Sequence, residues 1–335
     1  MYNVAFKIAI SQRIGSGHFY RSLKFAKKLI KKNVKVFFLF DHNFKNMNLK
    51  SSLKKNKIKY KIFKKKILPI KKFIKNKKIQ TLILDDPSIF FLDQKKLYNI
   101  VNKLIVFQDI PKKNYCDILI NYNYIKNAKK KYYKLSKKNT KFFLGTKYFI
   151  FNKNIKNKKN KKNQICVFFG GLSNKNIIFK TLNSLKKLKI KNIKIYFFLG
   201  IYNKDYGYIK KKFIKKFAIC KNVNQNFFLN LLSQSTLFIG AGGTALLESI
   251  SLGIPSIIYS TSNNQIDNAK NFDKDKLCLY LGRSKDNFNS LKLQSLVDTL
   301  LTDKNYFNKI KEKLENNTYK IASEPTVDLI LKNIL

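Results

Sequence analysis

The 335-residue sequence predicts an α/β chain built as two domains. Three observations carry that expectation. Short β-rich runs alternate with amphipathic helical stretches over almost the whole length, and the same grammar restarts in the second half. Between the halves lies NKNIKNKKNKKN, Asn152 to Asn163, a run with almost nothing to bury. The expected boundaries are a first domain at 1–150, a linker at 151–163 and a second domain at 164–335 with terminal helices. The length suits two domains of ordinary size, and an apolar fraction of 44% supplies a core for each.

In the first half VAFKIAI, VKVFFLF, KIKYKIF, TLILD, KLIVFQD, DILIN and KFFLG read as strands. Between the first two, HFYRSLKFAKKLIKK reads as a helix. Its Phe19, Leu23, Ala26 and Ile30 keep to one face, and the rest is basic and wet. In the second half the strands are QICVFFGG, IKIYFFLG, TLFIGAGG, PSIIYS and LCLYLG, and the tail after Arg283 reads as two or three helices. Such alternation calls for parallel sheets covered by helices. The expected architecture is two Rossmann-like domains facing each other across a cleft, with the site at strand-to-helix turns on the carboxyl edges.

The formal net charge of +52 has to be weighed as a nucleic-acid signature. Yet all but three of the 70 basic residues are lysine, spread over nearly every segment, beside abundant Asn, Ile, Phe and Tyr. That is the pattern of A/T-rich coding. A phosphate-tracking surface groups its cations and uses Arg for bidentate contacts. A basic nucleic-acid-binding protein is therefore a distant alternative, and no specific nucleic-acid partner is expected. Cys116, Cys166, Cys220 and Cys278 are far apart, which points to neither a disulfide frame nor a metal site. The opening MYNVAFKIAI reads as a first strand and not a signal peptide, and no run approaches the length of a membrane span. A cytoplasmic monomer without metal or other cofactor is expected.

In a chain with only 12 glycines, seven fall into three clusters: Gly15 and Gly17, Gly170 and Gly171, and Gly240, Gly242 and Gly243. Each follows a predicted strand and precedes a helix, where backbone N–H groups and a helix N-terminus can seat a phosphate. None completes the dinucleotide or P-loop fingerprint. In the third cluster Thr244 and Glu248 stand one helical turn apart. A carboxylate there can accept from two vicinal ribose hydroxyls while the glycine turn holds a pyrophosphate. The plain alternative is a glutamate on a solvated face. The polar SNNQ, Ser262 to Gln265, ends the next strand on the same edge.

His18 follows the first glycine turn and stands between Arg13 and Arg21. At a helix N-terminus the dipole favours a neutral imidazole, the state a general base needs to take a proton from water. The alternative is a helix cap or a polar corner. Arg21 is a planar fork where other cations are lysines, so a phosphate or carboxylate contact is expected. Asp85 and Asp86 end a strand and either bind a sugar hydroxyl or cap the next turn. His42 has no such company and reads as a surface loop residue.

The run GAGGTALLESISLGIPSIIYSTSNNQIDNA, Gly240 to Ala269, resembles the UDP-binding half of MurG-like nucleotide-sugar enzymes of GT-B fold. With IGSGHFYRSLKFAKKL, QDIPKKNYCDILINYNY, VFFGGLSNKN and LYLG, the chain is similar to the UDP-sugar hydrolases of pseudaminic acid biosynthesis, within the group related to the spore-coat protein SpsG. The resemblance runs from about the first residue to Gly282. It implies inverting, metal-independent hydrolysis of a UDP-linked diacetamido-trideoxy sugar at its anomeric carbon, releasing UDP. It also implies His18 as the catalytic histidine, Gly240 to Thr244 as the nucleotide loop, Glu248 on ribose and Asn264 on the sugar. The candidate substrate contacts are then Arg13, Gly15, Gly17, Arg21, Asp85, Gly170, Gly171, Ser173, Gly240, Ala241, Gly242, Gly243, Thr244, Glu248, Asn264 and Gln265. The chain departs from the family at GGLSNKN, where an acidic residue is usual, and at LDDPSIF, where an aromatic is usual. A MurG-like glycosyltransferase, with His18 deprotonating an acceptor hydroxyl, is the first alternative.

Overall fold

The computed structural model describes all residues except 12–13, 42–43, 65–66, 152–154, 156–161, 172–174, 189–191, 287, 319–320 and 334–335. Arg13, His42, Ser173 and most of the expected linker therefore lie outside the described residues. The chain divides into two units, Met1–Ile150 with Glu324–Leu335, and Phe151–Ser323.

Unit 1 alternates strand and helix: β1 (Asn3–Ile8), α1 (Gly17–Ile30), β2 (Lys35–Asp41), α2 (Met47–Lys55), β3 (Lys59–Phe63), α3 (Ile67–Asn76), β4 (Thr81–Asp85), α4 (Phe91–Tyr98), β5 (Lys103–Phe107), β6 (Ile118–Asn121), α5 (Ala128–Tyr133) and β7 (Lys141–Leu144). The seven strands form one parallel sheet in the order β3-β2-β1-β4-β5-β6-β7. Each of the seven strands expected from the sequence is present. The apolar runs VKVFFLF and TLILD are buried almost throughout, as strands covered on both faces must be.

Unit 2 follows the same plan: β8 (Lys162–Phe168), α6 (Lys175–Lys186), β9 (Lys194–Leu199), α7 (Tyr206–Phe213), β10 (Ala218–Lys221), α8 (Gln225–Ser233), β11 (Ser235–Ala241), α9 (Thr244–Ser251), β12 (Ser256–Ser260), α10 (Ile266–Lys274), β13 (Leu279–Arg283), α11 (Ser290–Thr302) and α12 (Lys304–Thr318). Its parallel sheet runs β10-β9-β8-β11-β12-β13. A last helix, α13 (Thr326–Leu331), completes the chain.

Three sequence expectations are corrected. The edge strand β10, AICK, was not expected, having no aromatic or sustained β-branched run to register as a strand. The strand β8 starts at Lys162, inside the expected linker. The second domain does not extend to 335. Residues from Glu324 onward pack with unit 1, where Glu324 N–H donates to Lys147 O at 2.9 Å and Thr326 Oγ1 to Tyr148 O at 2.8 Å.

In both sheets the strand order reverses once, between β1 and β4 in unit 1 and between β8 and β11 in unit 2. At such a switch point the neighbouring loops leave in opposite directions and open a crevice beyond the carboxyl ends of the strands. The first glycine cluster leaves β1, the second β8 and the third β11. Strand order thus carries all three clusters to switch points.

Candidate functional site

In unit 1 the site is built where β1 and β4 end together. Ile8 and Asp85 are in register, and the Ala9 N–H donates to the Asp85 carbonyl at 3.0 Å. The chain then turns through Gly15 into α1, which places His18 on the first turn and Arg21 one turn on. His18 Nδ1 lies 2.6 Å from Asp85 Oδ1. Arg21 binds the same carboxylate through Nε, 2.6 Å from Oδ2, and through Nη2, on Oδ1. Its Nη1 donates to Asp109 Oδ1 at 2.8 Å, and Ser22 Oγ donates to Asp85 Oδ2 at 3.0 Å. The guanidinium carbon lies 5.1 Å from the ring centre of Phe107 and 5.7 Å from that of Tyr122, so aromatic faces close off the fork.

Burial pushes the Asp85 carboxyl up, but the charge and hydrogen bonds of Arg21, with those of His18, outweigh it and hold the group well below the usual carboxylate range. Burial likewise opposes the Arg21 charge, and Asp109 and Asp85 more than restore it. An ionised Asp85 only accepts hydrogen bonds, so His18 Nδ1 is the donor in their pair. In the neutral ring the lone pair then sits on Nε2. The side chain of His18 is half-buried, and its hydrogen bond runs to Asp85 and not to the end of the helix. The capping role considered from the sequence is not what is found.

Two expectations change here. Asp85 is fully buried with both oxygens engaged, so it supports His18 instead of touching a sugar. Arg21 is also buried, and its fork is filled by two carboxylates of the protein: the carboxylate contact expected from the sequence, but not one with substrate. Asp86 takes the turn-capping role, accepting from the backbone N–H and Oγ of Ser88 at 2.9 and 2.7 Å. Sequence reasoning missed Asp109 and Lys7. The Lys7 amino group is buried between Asp86 at 2.6 Å and Asp41 at 3.0 Å, so it neutralises the carboxylate next to Asp85. The face of α1 expected to be wet is likewise buried at Arg21, Ser22, Phe25 and Leu29.

In unit 2 the loops after β8 and β11 flank the second switch point. The loop after β8 carries Gly170 and Gly171 and touches the end of β9. A Cβ on Gly200 would lie 2.6 Å from Gly170 O, which explains a glycine outside the three clusters. Near the end of β11, a Cβ on Gly240 would lie 2.4 Å from Phe168 O and 2.3 Å from the Phe238 ring. Close strand packing therefore requires this glycine, whatever binds nearby. Ala241 is core, packed with Val167, Ile257 and Tyr259, so its side chain is no substrate contact. The turn proper is Gly242 and Gly243, tied to β12 by the Gly242 N–H on Tyr259 O at 3.1 Å. Asn268, overlooked as a site residue, donates from Nδ2 to Gly242 O at 2.9 Å and pins the turn from α10.

Thr244 opens α9 and is half-buried. Glu248 is only 4% exposed, which excludes the solvated-face alternative, and it accepts from Gln225 Nε2 at 2.8 Å. Beyond β12, Asn264 Oδ1 accepts from Ser262 Oγ at 2.6 Å. Gln265 Oε1 accepts from the Thr261 N–H and hydroxyl at 2.9 and 3.1 Å, and its Nε2 faces the Gly243 turn. Gly242 to Thr244, Glu248 and Gln265 thus gather on the carboxyl edge of one sheet. Among the described residues, no group of three or more His, Cys, Asp or Glu side chains is placed to hold a metal ion. Nor is any helix among them long and apolar enough to cross a membrane.

Residues 164–324 match the glycosyltransferase family 28 C-terminal domain, an interval that nearly coincides with unit 2. The chain is 29% identical to the uncharacterized protein MJ1062 of Methanocaldococcus jannaschii over 273 residues, covering 75% of this chain and 55% of that one. It is 29% identical over 119 residues to the spore coat polysaccharide biosynthesis protein SpsG of Bacillus subtilis, covering 35% of each. The chain thus spans about half the length of the first relative and about a third of the second. The crystal structure of MurG from Acinetobacter baumannii superposes with a TM-score of 0.64 at 13% identity, covering 100% of this chain and 99% of that one. The fold is therefore GT-B, and within it most of the second unit, residues 164–324, is similar to the glycosyltransferase family 28 C-terminal domain.

Proposed function

We propose that this protein hydrolyses a UDP-linked amino sugar at the anomeric carbon, the diacetamido-trideoxy sugar of pseudaminic acid biosynthesis being the specific substrate. The observation that carries the reading is the 2.6 Å pair of His18 Nδ1 and Asp85. It leaves Nε2 as the proton acceptor and holds the ring still, as a general base requires. In the proposed reaction Nε2 takes a proton from water as its oxygen bonds to the anomeric carbon. The bond from that carbon to the β-phosphate oxygen breaks, and the electron pair leaves with UDP. One displacement of this kind inverts the configuration.

Unit 2 supplies the grip on the nucleotide: the Gly242–Gly243 turn and the N-terminus of α9 for the diphosphate, Glu248 for ribose, Asn264 and Gln265 for the sugar. Fixed backbone dipoles aimed at the leaving diphosphate lower its cost without a protein acid. Turnover of a panel of UDP-sugars in heavy-oxygen water tests this. Labelled free sugar and UDP are expected without any acceptor, and His18→Ala is expected to lose about 100-fold or more in kcat. Wild-type turnover by that variant on the best substrate overturns the assignment.

A second reading is kept because the match in unit 2 is to a glycosyltransferase family. In it His18 takes the proton of an acceptor hydroxyl, and UDP release requires that acceptor.

A further inference from the structure

We infer that Asp109 supplies the negative charge that lets His18 accept and hold a proton, a role that rests on reading His18 as the general base. Asp109 is a positioning residue in this account, because its carboxylate acts through Arg21 and not on the substrate.

A general base becomes positive in the step it catalyses, and a half-buried ring then needs a negative partner. Asp85 touches the ring, but its charge is already engaged. The same carboxylate holds the Arg21 guanidinium through Nε and Nη2, and Nη2 also lies 2.9 Å from His18 Nδ1. One carboxylate and one guanidinium against the ring carry no net charge, and the N-terminus of α1 adds a partial positive one. A proton on His18 would be uncompensated there. Asp109 changes the balance from 2.8 Å on Arg21 Nη1. Two carboxylates against one guanidinium leave one negative charge over, and the protonated ring cancels it.

The loop after β5 fixes Asp109 in that place. Its carbonyl accepts from Asn121 Nδ2 at 3.4 Å and Asn123 Nδ2 at 3.3 Å, and the Tyr132 hydroxyl donates to Gln108 O at 2.7 Å. The other groups around the cluster do not take its part. Burial pushes the Tyr122 hydroxyl up, so this ring against the guanidinium stays neutral. Lys7 of β1 gathers Asp86 and Asp41, at the end of β2, into a pairing of its own. Among the described residues neither of those carboxylates forms an ion pair with Arg21 or His18. Asp328, on the helix α13 that also packs on α1, is exposed to water.

Proton uptake by His18 is read by NMR on the full chain carrying labelled histidine. The chain has only two histidines, and His18→Ala assigns the signal. In Asp109→Asn the titration midpoint of His18 is expected to fall by about one pH unit, whereas Asp109→Glu, which keeps the charge, should stay within about 0.3 unit of wild type. The acid limb of kcat on the best UDP-sugar should move down with the midpoint, and the plateau should drop about threefold because a weaker base takes the proton. Asp109→Ser also lacks the charge and carries the same expectation if the amide variant does not fold. An unmoved midpoint in either folded neutral variant, or an equal fall in Asp109→Glu, overturns the inference. A midpoint that falls while the kcat limb stays in place supports the hold of Asp109 on the ring and overturns His18 as the base.

Discussion

Asp85 and Asp86 leave β4 side by side, and each meets a different cation. Arg21 neutralises the first and Lys7 the second, so two buried neighbouring carboxylates can both be ionised. Removing one partner of such a pair strands the other charge. Asp85→Asn is therefore expected to cost roughly 3 kcal/mol at pH 7, where Arg21 keeps its charge, as read by chemical denaturation. The pH dependence has a definite sign. Folding holds the Asp85 carboxyl below its unfolded value of about 3.9, so its stabilisation is complete above that value and is lost as pH falls below it. The wild-type curve should fall more steeply than that of Asp85→Asn from about pH 5 downward; parallel curves would count against an ionised Asp85. His18 and Glu248 were legible in the sequence because one is rare and the other follows a glycine turn. Lys7 and Asp109 were not, since one lysine among so many, or one strand-end aspartate, declares nothing until a fold gives it a neighbour.

Among the elements, β11 and the turn after it show why a glycine can be misread. Local sequence cannot separate a glycine that admits a ligand from one that admits another strand. Gly240 is of the second kind, and overpacking there should cost about 1–3 kcal/mol in Gly240→Ala, seen as a lower Tm. Gly17→Ala is the control. It opens α1 with nothing within 4 Å of the added carbon, so its Tm should hold or rise slightly. Equal losses in the two variants would refute the steric account. The other strands were legible from their β-branched and aromatic runs, even the four-residue edge strand β7, KFFL. The edge strand β10, AICK, has no such run and owes its place to pairing with β9.

For the whole molecule the net charge of +52 is a cost, since like charges on a compact surface repel. Among the described residues few ion pairs offset it, and those on the surface are worth little. The Tm is expected to rise as sodium chloride goes from about 20 to 300 mM, because screening relieves more repulsion than attraction. A Tm that falls with salt would mean that the surface pairs dominate. Two parallel-sheet domains, the positions of nearly all their strands along the chain and the three glycine clusters were determined by the sequence alone, because periodicity and turn chemistry act over a few residues. Only the tertiary structure decided that His18 rests on Asp85 and Arg21 on Asp109, or that α13 returns to the first unit. Those pairings span from 67 to nearly 180 positions of chain, and which distant groups share a low-dielectric interior is settled by packing.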